Sequence, residues 1–295
     1  MYALWIAVGL SSCFFTLLWQ LKGGKKPVFS SLLTVALASV LGVVMAKLFY
    51  VLLLADATLA AYGIEAFFHW DADTFSVFGA GAGALLGVWL SARIVKMRPA
   101  HLLDCFLPCG AFFLACIRAG EKELGTIGVG GYVAPQSLMA RFPFSITNMY
   151  GEHLYAVFYL EAFFALLCGV LLLRHAKAWP AGVRTESGLF FLALTQVFCE
   201  SLRARCMKWG FVRIEQLLCG VLLLALLWYA CQKGGARPRR YAPALLGLLC
   251  IAGVVVLEFA LDKSGIPIWL CYFLMGMDLL LLAVVEGFTV KKRFG

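Results

Sequence analysis

The sequence predicts an all-α polytopic membrane protein, and two observations carry that prediction. Hydrophobic residues make up 63% of the 295 and charged residues only 14%, far from a soluble globular mix. The apolar residues also fall in blocks near twenty long, enough to cross about 30 Å of hydrocarbon as helix. No stretch is left over to bury a separate soluble core. The formal net charge is +9, but most basic residues sit in short loops between blocks, so they read as an orientation signal and not as nucleic-acid binding. The 11 cysteines lie largely inside apolar blocks, as at Cys105, Cys109 and Cys116, and form no CxxC pair. Neither a zinc site nor a disulfide framework is indicated. The N-terminus is apolar from its second residue, with no basic leader and no small-residue cleavage site, and reads as a retained span.

Nine spans are predicted. The first is Tyr2–Trp19, followed by Phe29–Leu54, which is long enough to tilt. The third, Thr74–Ile94, is rich in glycine and alanine, and Leu102–Cys116 is the fourth. Glu152–Leu173 and the shorter Ser187–Leu202 come next. Ile214–Cys231, Ala242–Leu261 and Ile266–Phe288 complete the set.

The loop cations predict the orientation. Sixteen Lys and Arg fall on one side: Lys22, Lys25 and Lys26; Arg93, Lys96 and Arg98; Arg174, Lys177 and Arg184; Lys233, Arg237, Arg239 and Arg240; and Lys291, Lys292 and Arg293. Eight fall on the other side, and Lys47 lies within the second span. The basic side is cytoplasmic, which puts the N-terminus outside and the C-terminus inside. The loop Asp56–Asp73, with four acids and no Lys or Arg, fits the outer side. Seven of the eight outer cations fall in two segments, Arg118–Tyr150 and Arg203–Arg213. Cations there oppose the topology rule, and an anionic phospholipid head group is a natural partner. Simply basic loops are the alternative.

The stretch Asp104–Tyr132 organises the chain. An apolar helical run ends where Arg118, Glu121, Lys122 and Glu123 arrive together, and Gly120, Gly125, Gly128, Gly130 and Gly131 follow. Ionisable groups beside mobile backbone at a helix end suggest a polar site at the bilayer boundary, or else an ordinary capping loop. In the third span, Gly79, Gly81 and Gly83 let a helix or a lipid approach the backbone. In the sixth, Gln196, Glu200 and Arg203 share a helical face, as a structural pair or a chemical one. The fifth opens with Glu152, His153, Tyr155 and Tyr159 and continues to Glu161, and as helix it puts Glu152, Tyr155 and Tyr159 on one face. The tyrosines suit an interfacial anchor, and His153 could serve as a general base. Lys47 and Asp278 are deep charges that each need a partner or water.

Several of these segments together resemble the prolipoprotein diacylglyceryl transferase family. Val44-Met45-Ala46-Lys47-Leu48-Phe49-Tyr50 is similar to its second-span motif, with lysine for the usual arginine. Phe75–Gly87 with Ala92-Arg93 resembles its glycine-rich third span and basic loop. Asp104 through Arg118-Ala119-Gly120 resembles the signature helix that ends in Gly-Arg-Ile-Gly-Asn. His153-Leu154-Tyr155 is similar to the family's Gln-Leu-Tyr-Glu segment. Gly188 through Glu200 and Arg203, then Glu215-Gln216-Leu217-Leu218, resemble its sixth and seventh spans. The resemblance covers residues 1–231 as a seven-span transferase-like membrane core. Residues 232–295 add a basic linker, two further transmembrane helices and a basic tail.

The resemblance implies a reaction and a place. The family moves the diacylglyceryl group of phosphatidylglycerol to the lipobox cysteine thiol of a prolipoprotein, without a metal or organic cofactor. It works in the bacterial plasma membrane, with its site at the outer leaflet. Carried onto this chain, Arg118 and Arg203 would bind the phospholipid, with Gly79, Gly81, Tyr155 and Gln196 around it. Glu121, His153 and Glu200 would be the catalytic candidates. The chain departs from the family at Phe78, where a histidine is usual, at Glu121 for the signature asparagine, at Ile117 for the glycine before Arg118, and at Gln196 for an arginine. A homologue that binds phospholipid or a membrane partner without this transfer is the alternative.

Overall fold

The computed structural model describes every residue except 25, 72, 126, 176–178, 211, 234–240, 264 and 293–295. Lys25, Lys177, Arg237, Arg239, Arg240 and Arg293, which enter the orientation count, lie outside the described residues.

Helices form where the apolar blocks run. The first two are α1 (Tyr2–Gln20) and α2 (Pro27–Leu53), and α2 starts on a proline, where the missing N–H costs nothing. The acidic loop holds a short helix, α3 (Ala55–Tyr62), and a 3₁₀ turn, Gly63–Phe67. Next comes α4 (Val77–Ile94), capped by the Ser76 hydroxyl, which accepts from the Gly79 N–H at 3.0 Å. Another proline opens α5 (Pro99–Gly120), which passes into a 3₁₀ turn, Glu121–Leu124. Three short strands follow, β1 (Tyr132–Val133), β2 (Ser145–Thr147) and β3 (His153–Tyr155), in an antiparallel sheet of order β1-β3-β2. The chain continues through α6 (Val157–Arg174), α7 (Val183–Leu202) and a small hairpin, β4 (Lys208–Trp209) with β5 (Val212–Arg213). The last three helices are α8 (Ile214–Lys233), α9 (Ala242–Lys263) and α10 (Ile268–Lys292).

One predicted span needs correction at its start, and another is more polar than the rest. Eight helices among the described residues are long and apolar enough to cross a membrane, and α7 is not one of them. It has 20 residues, long enough to cross, and Arg184, Glu186, Gln196 and Glu200 make it more polar in composition than the other long helices. The fifth span begins at Val157 and not at Glu152. Residues Asn148–Glu152 turn the chain between β2 and β3. The Asn148 Oδ1 accepts from the N–H groups of Tyr150 (2.9 Å) and Glu152 (3.0 Å), and Gly151 takes a φ of +79°. An asparagine side chain that mimics backbone, with a glycine at positive φ, makes a tight hairpin turn. Glu152, Tyr155 and Tyr159 therefore do not share one helical face.

The chain divides into two compact units, Met1–Gly188 with Leu202–Glu215, and Leu189–Ser201 with Gln216–Gly295. In this division most of α8 falls with α9 and α10. In the first unit, Cys13, Leu17, Ala38, Val88, Ala92, Leu102 and Phe106 build a core between α1, α2, α4 and α5. Gly79, Gly83 and Gly87 lie every fourth residue along the α4 face that meets α2. A Cβ at Gly87 would come 2.6 Å from the Leu37 carbonyl oxygen, so the glycines let the two backbones touch. Lys47 is buried there, donating to the His69 carbonyl and to the Thr74 hydroxyl at 3.0 Å. In the second unit, Gln216 donates to the Val197 carbonyl (3.3 Å) and to Glu258 (3.1 Å), and α9 packs along α10.

Candidate active site

The end of α5 carries Arg118 in its last turn, and the following 3₁₀ turn carries Glu121 three residues on. Packing of α6 against α5 brings Glu161 to the same place, and the chain leaving α7 brings Arg203. The four side chains close a ring of alternating charge. Arg118 Nη1 donates to Glu121 Oε1, and Arg118 Nε lies 2.6 Å from Glu161 Oε2. Arg203 grips Glu161 as a fork, Nε to Oε1 and Nη2 to Oε2, both at 2.7 Å. Its Nη2 also lies 3.4 Å from Glu121 Oε2. The side chains of Arg118, Glu121 and Glu161 are no more than 7% exposed, and that of Arg203 is 11% exposed.

Burying four charges carries a desolvation cost that a ring recovers only with good geometry, so charge balance is a condition of the site. Arg118 Nη2 is buried with no hydrogen-bond partner among the described residues. The ring is thus neutral as a whole, yet it keeps one strong donor unspent.

Local backbone holds the ring. Gly120 meets Trp5 of α1, whose Cβ would lie 2.8 Å from a Cβ there. Gly128 has a φ of +69°, and any side chain on it would overlap Glu121 Oε2. Only glycine suits both demands. The glycine run is also pinned more firmly than its composition suggests. The Phe158 N–H donates to the Gly128 carbonyl (3.0 Å), the Gly130 N–H to the Tyr155 carbonyl (2.8 Å) and the Tyr155 N–H to the Gly131 carbonyl (3.0 Å). Val129, Ala156 and Phe158 form a small core beneath. The Ala204 N–H donates to the Val129 carbonyl (3.0 Å), and Arg213 donates to the Arg203 carbonyl (2.9 Å), which fixes the backbone that presents Arg203.

The other candidates take separate places. Gln196 donates to Glu200 at 3.3 Å along α7, and Glu200 is buried. His153 lies on β3 with Nδ1 3.3 Å from the Thr147 hydroxyl, and Tyr155 stands two residues on, partly exposed beside Gly130. Gly79 faces α2, so its missing side chain serves helix packing, whereas nothing lies within 4 Å of the Cβ position of Gly81. Phe78 meets Phe49, their ring centroids 6.0 Å apart.

Sequence reasoning assigned no role to two residues of this neighbourhood. Glu161 is one, and a lone carboxylate inside the apolar run Val157–Arg174 was the signal for it. Glu215 is the other. It is buried, accepts from the Ser76 hydroxyl (2.6 Å) and the Phe78 N–H (2.9 Å), and so completes the cap of α4.

Comparison with known proteins follows the same segments. A family model for prolipoprotein diacylglyceryl transferases matches residues 1–231. Phosphatidylglycerol–prolipoprotein diacylglyceryl transferases from two strains of Dehalococcoides mccartyi are each 28% identical over 108 residues, which is 36% of this chain. The chain spans 40% of the length of these curated relatives. The family match runs from α1 through most of α8 and takes in all four members of the charge ring, and the chain belongs to the prolipoprotein diacylglyceryl transferase family.

Proposed function

We propose that this chain transfers the diacylglyceryl group of phosphatidylglycerol to the lipobox cysteine of a prolipoprotein, from a site at the outer leaflet of a bacterial plasma membrane. The observation that carries this reading is the buried ring of Arg118, Glu121, Glu161 and Arg203 at the end of the family-matched α5.

Two guanidinium groups suit a phosphate, since each presents planar paired donors to its oxygens. Arg118 Nη2 is the first point of attachment, because it is buried and unspent. A phosphate drawn to Arg118 and Arg203 competes with the two carboxylates already there. Glu161, gripped as a fork, keeps its place. Glu121 keeps its bond from Arg118 Nη1, but its Oε2 is held only loosely by Arg203, at 3.4 Å, and that oxygen yields first. An oxygen released from Arg203 is free to accept a proton, so lipid binding itself prepares Glu121 to take the one on the thiol. The thiolate then forms the S–C bond at the glyceryl carbon, the C–O bond to phosphate breaks, and its electron pair leaves on the glycerol phosphate. The two arginines neutralise that charge as it develops. His153 and Glu200 are the other candidate bases, and Gln196, Tyr155, Gly79 and Gly81 the other candidate lipid contacts. The loop cations support a cytoplasmic C-terminus, and with α7 counted as a crossing helix the Arg118 end of α5 lies outside.

The test is a direct assay. Purified protein, phosphatidylglycerol and a lipobox peptide are incubated, and the cysteine is inspected by mass spectrometry for a diacylglyceryl adduct. The proposal expects an adduct that is lost in Arg118→Ala. No adduct, with an established family transferase working alongside, would overturn it and leave a lipid- or partner-binding homologue.

A further inference from the structure

The second unit holds a charge that the proposed transfer does not use. Asp278 sits near the middle of α10 and is the sole charged residue between Ile268 and Val285. Opposite it on α9 is Gly253, in a stretch without charge from Ala242 to Leu257. A Cβ on Gly253 would come 2.6 Å from Asp278 Oδ2, so the carboxylate rests against bare α9 backbone. Asp278 is partly exposed and makes no hydrogen bond or ion pair with any described residue. One helical turn away, Leu249 and Val256 on α9 and Leu274 and Leu281 on α10 are all exposed. They form the apolar flanks of a seam with the carboxylate at its centre.

The apolar flanks alone would be content with lipid. The carboxylate would not, because hydrocarbon offers it neither a donor nor a counter-charge at that depth. We propose that the α9–α10 seam docks a transmembrane helix of another protein that carries a lysine or arginine at mid-bilayer depth. Such a residue satisfies Asp278 by an ion pair, and the rest of the partner helix packs on the four flanking side chains. Charge complementarity selects this occupant over a second copy of the chain. The chain's own mid-span cation, Lys47, is buried and already bonded to His69 and Thr74, so among the described residues a second copy brings no free cation at mid-span depth. The absence of a side chain at Gly253 leaves the carboxylate room to turn toward the partner.

The test uses the full chain in phosphatidylcholine vesicles with a synthetic leucine helix of about 20 residues that carries one central lysine. An all-leucine twin is the control, and association is read by fluorescence energy transfer. The lysine helix is expected to bind about tenfold more tightly than its twin. Asp278→Asn, which keeps the shape, should bring it to the level of the twin, and Asp278→Glu should restore the preference. Equal binding of the two helices to the wild type would overturn the proposal, and so would an Asp278→Asn variant that keeps the preference. Self-association of the chain that depends on Asp278 and is not displaced by the lysine helix would overturn the choice of occupant.

Discussion

The two ends of α5 solve the same problem differently. Asp104, near the start, and Arg118, near the finish, are both buried charges about 21 Å apart along the helix. Asp104 is answered by neutral donors. It accepts from the Gly182 N–H (2.6 Å), the Thr185 N–H (2.8 Å) and the Thr185 hydroxyl (2.6 Å), and so ties α5 to the start of α7. Arg118 is answered by carboxylates, which are themselves shared with Arg203. An unpaired arginine nitrogen does not separate the ends. Arg184, beside Asp104, donates to Gln20 at 2.9 Å and also leaves its Nε without a partner among the described residues. What separates them is exchangeability. A carboxylate in a ring of charges can give way to another anion, whereas a helix cap has nothing to exchange.

This difference orders the expected effects of substitution. Arg118→Ala should be the most severe. Transfer should fall by about a hundredfold or more. The orphaned carboxylates should also lower stability by about 3–5 kcal/mol, as read by thermal unfolding. Arg118→Lys, which keeps the charge, should recover stability before it recovers rate. Gly128→Ala comes next, because it pushes on Glu121 and strains a positive φ, at a cost of about 1–3 kcal/mol. Gly131→Ala, with nothing within 4 Å, should be close to wild type in the same assay. Glu121→Gln should slow transfer while phosphatidylglycerol binding, measured by native mass spectrometry, is retained or improved. Asp104→Asn should have the smallest effect on rate. It should cost about 1–3 kcal/mol in unfolding measurements and leave the turnover of the folded protein unchanged. A large loss of turnover in Asp104→Asn would break the contrast between the two ends.

Much of this arrangement was legible in the sequence. Arg118 and Glu121 stand out because charges at the end of an apolar run are costly unless used. Arg203 stands out as a cation on the side where the topology rule disfavours it. Glu161 was visible as a lone acid in α6, but nothing in the spacing says that α6 packs on the α5 face that holds Arg118. The glycines after Arg118 read as mobile backbone because composition records freedom and not the hydrogen bonds that remove it. Gly128 in fact owes its identity to the carboxylate beside it. The hairpin at Asn148–Glu152 was signalled by an asparagine and a glycine, yet the apolar run beyond it made the segment read as helix. In α4, the density of glycine at Gly79, Gly81 and Gly83 left a helix or a lipid as the neighbour, and only the structure shows that Gly79, Gly83 and Gly87 meet α2 while Gly81 does not.

The central claim is that the phospholipid head group seats at the Arg118 end of α5. Phosphatidylglycerol with a photoreactive group on its head-group glycerol tests it most directly. After irradiation in vesicles, the account predicts cross-links on the segments around Arg118–Leu124 and Arg203, reduced in Arg118→Ala. Cross-links concentrated on the segments around Asp104 and Gly182–Thr185, or unchanged in Arg118→Ala, would contradict it.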